Sequence, residues 1–238
     1  MIDIFWNLVS AGIGFGISYL YRTIREFFSD RTIGWFWNPN KAKKIYIHPG
    51  RFEVLGHIGE KEPAIAINDA QALVQLRLFL SKYFKDIVVT FDESKIDWQS
   101  PVLSLGGPIP NKLSEKIGNS NKLPFWFLGM PYGKNSERSI GNVSVSYKSE
   151  FDENQILSAD IGLMARIKPD ENTKSYLYVI AGNYGFGTLG VVSYLTSSRN
   201  LKNLNRQAKN YPYFEVIIKT TVKNDNVSAV ESIRLQEI

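Results

Sequence analysis

Residues 64–107 read AIAINDAQALVQLRLFLSKYFKDIVVTFDESKIDWQSPVLSLGG. A short apolar run, 64–68, opens the stretch. Leu73, Leu76, Phe79, Leu80 and Phe84 follow at helical spacing, and then come two apolar runs, DIVVTFD at 86–92 and SPVLSLGG at 100–107. Helix-spaced apolar residues between short apolar runs predict a helix between buried strands. That order predicts βαβ units around a largely parallel sheet. Asp69 stands just before the periodic residues and is expected to cap the helix. KLSEKIG at 112–118 predicts a short second helix, with Gly118 past its end.

Beyond this stretch the texture changes. Residues 119–142 place Phe125, Trp126, Phe127, Met130 and Tyr132 among prolines and glycines. The segment is too long for an ordinary connector. It is expected to cover one edge of the sheet with its aromatics, the alternative being a lid or partner-docking loop. NVSVSYKS, ADIGLMARI, SYLYVIAG, FEVIIKTTV and VSAVESIRLQ then read as strands. PDENT (169–173) and KNDN (223–226) are hairpin signals. One helix is expected over 188–208. The predicted fold class is α/β: a Rossmann-like mixed sheet with antiparallel hairpin additions, over residues 45–238.

The chain has 238 residues, no cysteine, two histidines and a net charge of +5. Without cysteine, disulfides, thiol nucleophiles and Cys-ligated zinc or iron–sulfur centres are excluded. Two histidines, His48 and His57, exclude a three-histidine zinc site. No metal site is expected, and no cofactor is identifiable. No GxSxG elbow, Walker A lysine or HExxH is present. Lysines and arginines are scattered and no nucleic-acid module is recognisable, so no nucleic-acid partner is expected.

At the other end, residues 4–21, IFWNLVSAGIGFGISYLY, carry no charge. At about 1.5 Å per residue they would reach about 27 Å as a helix, near the ~30 Å hydrocarbon core of a bilayer. A single transmembrane helix within an anchor of residues 1–30 is the leading expectation. The alternatives are an apolar helix packed on a partner chain or on the protein itself, and an interfacial helix continued by Ile24, Phe27 and Phe28. Arg22, Arg25, Arg31, Lys41, Lys43 and Lys44 follow the span and no basic residue precedes it. The positive-inside rule then puts the C-terminal domain in the cytoplasm, beneath an inner or plasma membrane. Residues 31–44 form the expected linker, with Trp35 and Trp37 at headgroup level. Gly12 and Gly16, with Ser10, Gly14 and Ser18, are small residues four apart. They predict a homo-oligomer through the anchor, although glycine is also common in membrane helices generally.

Two glycine-rich turns carry what chemistry the sequence offers. Gly106, Gly107 and Asn111 end the strand at 100–105, and Gly185, Gly187, Thr188 and Gly190 follow the strand SYLYVIA in a GxGxxG pattern. Strand–glycine–helix junctions present backbone N–H groups suited to phosphate or carboxylate. A dinucleotide fingerprint also wants an acid ending the next strand, and FEVIIKT ends in Lys219 and Thr220. The expectation is therefore an anion nest and not a dehydrogenase site. Ligands of open α/β sheets sit at the carboxyl ends of strands. Asp69, Asp92, Gly106, Gly107, Asn111, Gly185, Gly187 and Thr188 all fall at such ends, and are the expected ligand-binding residues. Asp92 would bond ribose hydroxyls. Asp69, Asp92, Glu93 and Asp97 are the carboxylates available for acid–base work.

The LSLGGPIPN and VIAGNYGFGTLG turns resemble those of uncharacterised prokaryotic Rossmann-like domains, with a GGPxxN turn as in cell-wall-binding repeats and surface-layer domains. The resemblance spans about residues 63–112 and 160–195. It implies a structural, non-enzymatic role. The residues themselves lead to a membrane-anchored cytoplasmic module that binds a nucleotide or other small anionic ligand and signals through anchor self-association. Two alternatives stay open: an enzyme cleaving the N-glycosidic bond of an NAD-like nucleotide, and a structural or interaction protein whose glycines are only turns.

Overall fold

The computed structural model describes residues 36–37, 42–55, 61–120, 123–128, 138–167 and 175–238. The expected anchor, residues 1–30, lies outside them, as do Trp35 and His57. Among the described residues no helix is long and apolar enough to cross a membrane.

The chain opens the main sheet with β1 (Lys44–Pro49), whose Ile45 and Ile47 face one side and Tyr46 the other. A hairpin of β2 (Phe52–Leu55) and β3 (Lys61–Ala64) follows, off the main sheet. Then come α1 (Ile67–Leu80), β4 (Asp86–Val89), β5 (Val102–Leu105) and α2 (Lys112–Asn119). Three short strands, β6 (Trp126–Leu128), β7 (Ser139–Gly141) and β8 (Ser146–Lys148), form a separate sheet. The chain re-enters the main sheet through β9 (Glu150–Phe151), β10 (Leu157–Ile167) and β11 (Leu177–Gly182). It ends with α3 (Gly185–Thr196), α4 (Ser198–Gln207), β12 (Phe214–Lys223) and β13 (Asn226–Glu237).

The main sheet runs β13-β12-β10-β11-β5-β1-β4. β4, β1, β5 and β11 are mutually parallel, while β10, β12 and β13 add antiparallel. The expected mixed α/β sheet is therefore present. Its helical layer seats Leu76 and Leu80 of α1, Val191 and Leu195 of α3, and Leu201 and Leu204 of α4 on Ile45, Ile47, Leu103 and Ile180. The opposite face packs Leu113 and Ile117 of α2, with Phe125 and Ile140, on Val102, Val179 and Leu163.

Four details depart from the sequence reading. The run 64–68 is not a sheet strand: β3 ends at Ala64 and α1 starts at Ile67, so β1 supplies the first parallel strand. A five-residue apolar run does not by its period distinguish a strand from a helix start. Asp69 consequently lies in the first turn of α1 and not at its cap, which is Ala66 with no side-chain bond. The helix expected over 188–208 starts at Gly185 and is two helices. Ser197 breaks it, its hydroxyl accepting from the Asn200 N–H to cap α4, because a serine that bonds local backbone competes with helix continuation. NVSVSYKS is divided between β8 and β9, not one strand. The KNDN hairpin is as expected: Asn224 and Asp225 have φ of 50° and 55°, the paired positive values of a two-residue turn between β12 and β13.

The packed domain also reaches back beyond residue 45. Phe36 and Trp37 are fully buried. The Tyr178 hydroxyl donates to both of their carbonyls, at 3.2 and 3.1 Å. The Arg166 guanidinium stacks over Phe36, Tyr176 and Phe214 and donates to the carbonyls of Tyr211 and Pro212. Trp37, expected at headgroup level, is a core residue instead. A truncation starting at Lys44 would remove two of the largest buried side chains.

Candidate functional site

β1 connects to β4 on one side and is flanked by β5 on the other, so the strand order reverses between β1 and β5. The carboxyl ends there are where an open α/β sheet leaves a crevice. Asn111 staples this point. Its side-chain amide donates to the carbonyls of His48 and Leu105, both at 2.9 Å. Its carbonyl oxygen accepts from Leu113 and Ser114 N–H and caps α2. All of its capacity is spent on the fold, which leaves none for the ligand contact expected of it. Gly106 is needed for its φ of +103°, a conformation L side chains rarely adopt. It turns β5 outward so that Gly107 lines a cavity.

That cavity, of about 460 Å³, opens at the carboxyl ends of β5 and β11. Asp69, Gly107, Gly185 and Thr188 of the expected residues line it. So do Phe52, Trp126, Phe127, Arg138 and Tyr184, which sequence reading did not assign to a site. Arg138 lies 4.8 Å over the Tyr184 ring and donates to the Asn183 carbonyl at 3.1 Å. Trp126 and Phe127 meet edge to face, 5.1 Å between centroids. They come from the aromatic segment expected to cover a sheet edge. The available signal was the density of rings there together with Arg138. β6 is held in place by a buried carboxylate: Glu215 accepts from the Phe125 N–H at 2.9 Å.

Asp69 is the cavity's distinctive group. Its residue is only 6% exposed, and Oδ1 has no hydrogen-bond partner. Burial raises its pKa to about 6, against a hydrogen bond with Thr188 that lowers it.

The glycine turn at 182–190 behaves differently from expectation. Asp160, fully buried on β10, points its carboxylate at the start of α3. One oxygen accepts from the N–H groups of Tyr184 and Gly187, the other from the Ser149 hydroxyl and the Ile161 N–H. The protein's own carboxylate fills the nest that the sequence assigned to a ligand anion. Gly187 does not line the cavity. A Cβ there would lie 2.5 Å from the Ile161 carbonyl and 2.9 Å from Gly182 Cα. Gly187→Val is therefore expected to abolish folding, with loss of the cooperative thermal transition. A folded variant of near-native stability would contradict this packing.

Asp92 also lies elsewhere, in a second cavity. It accepts from the Ser94 N–H and hydroxyl at 3.0 and 2.7 Å, and these bonds, more than Lys95 at 3.7 Å, hold its pKa below the usual carboxylate range. The expected single crevice is two neighbouring ones.

Three buried carboxyls hold their protons unusually tightly: Asp69 and Asp160 to about pH 6 and Glu215 to about pH 8, all through burial. Above their ordinary values the folded chain binds more protons than the unfolded one. Stability therefore falls as pH rises from about 4 through 8. Buried His48, whose pKa is lowered by burial, opposes this below about pH 6.5. The expected optimum is mildly acidic, with the melting temperature at pH 5.5 about 5 °C or more above that at pH 8.5. A flat or rising profile across that range would contradict the assignment.

A scan against protein-family models gives no match for this chain, and a search of curated proteins gives none either.

Proposed function

We propose that this protein is a nucleotide-binding module whose base and ribose occupy the cavity beside Asp69. The observation that carries the reading is a buried carboxylate with an unpartnered oxygen in a cavity walled by aromatic rings. A carboxylate can accept ribose hydroxyls in the crevice at the strand ends of an α/β sheet, and Asp69 faces that crevice from the first turn of α1. Aromatic faces stack bases at roughly 1–3 kcal/mol each. The cavity's volume of about 460 Å³ falls in the usual range for small-molecule sites, roughly 300–1,000 Å³. Residues 4–21 would tether the module to a membrane, and their small-residue rows would pair two copies.

One feature supports the enzymatic alternative. A carboxyl with a pKa of about 6 is poised for proton transfer near neutral pH. In N-glycosidic hydrolysis, water would bond to the anomeric carbon as the bond to the base nitrogen breaks. The electron pair would leave with the base, and Asp69 would take the water's proton.

The test is a thermal-shift and calorimetric panel of nucleosides and nucleotides on the full chain. At 100 times its dissociation constant, a true ligand stabilises by about 2.7 kcal/mol. Trp126→Ala should weaken binding about tenfold or more. No stabilisation by any member would overturn the reading. Base release by the wild type would select the enzyme.

A further inference from the structure

The second cavity, about 830 Å³, opens at the carboxyl ends of β1 and β4 and shares the wall Ile109, Pro110 and Lys112 with the first. We propose that it is the phosphate half of the same site, so that the ligand is a 5′-phosphorylated nucleoside lying across the turn at 107–112. This rests on the nucleoside reading of the first cavity. The start of α3, the obvious phosphate seat beside that cavity, is occupied by Asp160. A ligand's charge must be met elsewhere, and Arg51 and His48 line the cavity next door.

His48 is 5% exposed and its Nδ1 has no partner. The imidazole bonds the Thr90 backbone, which fixes the ring. With its other nitrogen donating to Thr90, Nδ1 is the acceptor of a neutral imidazole, and the ligand group that meets it must bring a proton, as the P–O–H of a singly protonated phosphate does. Arg51 is exposed and has no ion pair among the described residues, while the carboxylates around it are engaged. Asp92 bonds Ser94 and pairs with Lys95, Glu93 pairs with Lys116 at 2.6 Å, and Glu53 also has a partner. That leaves Arg51 as the cation able to take a phosphate, in the forked geometry guanidinium offers. Lys112, on the shared wall, stands between the two halves.

The experiment is calorimetry on the full chain with adenosine, guanosine, cytidine and uridine, each against its 5′-diphosphate, and with inorganic pyrophosphate. For the base that binds, the diphosphate should bind at least tenfold tighter than the nucleoside. Arg51→Gln should reduce that ratio to within twofold of one while leaving nucleoside affinity unchanged. His48→Phe, which removes the Nδ1 acceptor and supplies no donor, should lower the ratio as a second variant. Equal affinity of nucleoside and diphosphate for the wild type overturns the phosphate half and leaves the first cavity's reading standing. Pyrophosphate binding that is lost in Arg51→Gln, without any nucleoside binding, keeps the anion site and removes the base site. No binding by any probe overturns both.

Discussion

Asp160→Ala is expected to destabilise the protein by about 3–5 kcal/mol, since each buried donor left unpaired costs roughly 1–3 kcal/mol. The substitution leaves the N–H groups of Ile161, Tyr184 and Gly187 and the Ser149 hydroxyl without their acceptor. Part of that loss is offset, because the carboxylate is itself costly to bury, as its pKa of about 6 records. The net is still a large fraction of the roughly 5–15 kcal/mol that holds a domain together. The melting temperature should fall by roughly 10 °C, at about 2–4 °C per kcal/mol for a chain of this size. Asp160→Asn keeps one accepting oxygen and should lose less. Denaturant unfolding of Asp160→Ala within about 1 kcal/mol of the wild type would mean that the start of α3 is held by something else.

Asp69→Asn is expected to separate binding from stability. Asp69 Oδ1 bonds nothing in the protein, and the bond the carboxylate makes with Thr188 can be kept by the amide oxygen of asparagine. Removing a buried carboxylate whose pKa is raised to about 6 relieves its desolvation above that pH. The variant should therefore melt at or above the wild-type temperature at pH 8. Ligand affinity should nevertheless fall about tenfold to a hundredfold, since a hydrogen bond to a charged group is worth roughly 1.5–3 kcal/mol. Glycosidic turnover, where the wild type shows it, should vanish. Loss of stability together with unchanged affinity would place Asp69 in the fold and not in the site. The two buried aspartates thus have opposite signatures: Asp160 completes the backbone, and Asp69 is left incomplete by it.

Much of this fold is legible in the sequence because its signals are local. The strands DIVV, VLSL, LYVIAG and FEVIIK are apolar runs bounded by polar or glycine residues, and each becomes a strand of the main sheet. The parallel core follows from alternating strand and helix periods. Less legible is what depends on distant partners. Whether AIAIN starts a strand or a helix was decided by β1 occupying the sheet, and Phe36 and Trp37 joined the core because Tyr178 and Arg166 receive them.

The site divides the same way. Gly107 lines the first cavity at a strand end, whereas Gly106 lines neither cavity and serves the turn. Asn111, Gly187 and Asp92 were assigned to a ligand, yet their capacity is met by His48 and Leu105 carbonyls, by Asp160, and by Ser94. No local pattern announces that a nest will be filled by a residue 24 to 27 positions earlier. Trp126, Phe127 and Arg138 reach the cavity only because β6 and β7 fold back over α2 and the strand ends, a placement fixed by the long-range bond from Phe125 to Glu215.

A nucleoside bound in the cavity beside Asp69 would shift the amide resonances of the residues that line it. Amide chemical shifts of the full chain, followed during titration with a nucleoside that stabilises it, test this most directly. The largest perturbations are expected at Gly107, Trp126, Phe127, Tyr184, Gly185 and Thr188, with little change along β12 and β13. Saturable binding whose perturbations lie away from these residues, or a titration that moves none of them, would contradict a nucleoside in this cavity.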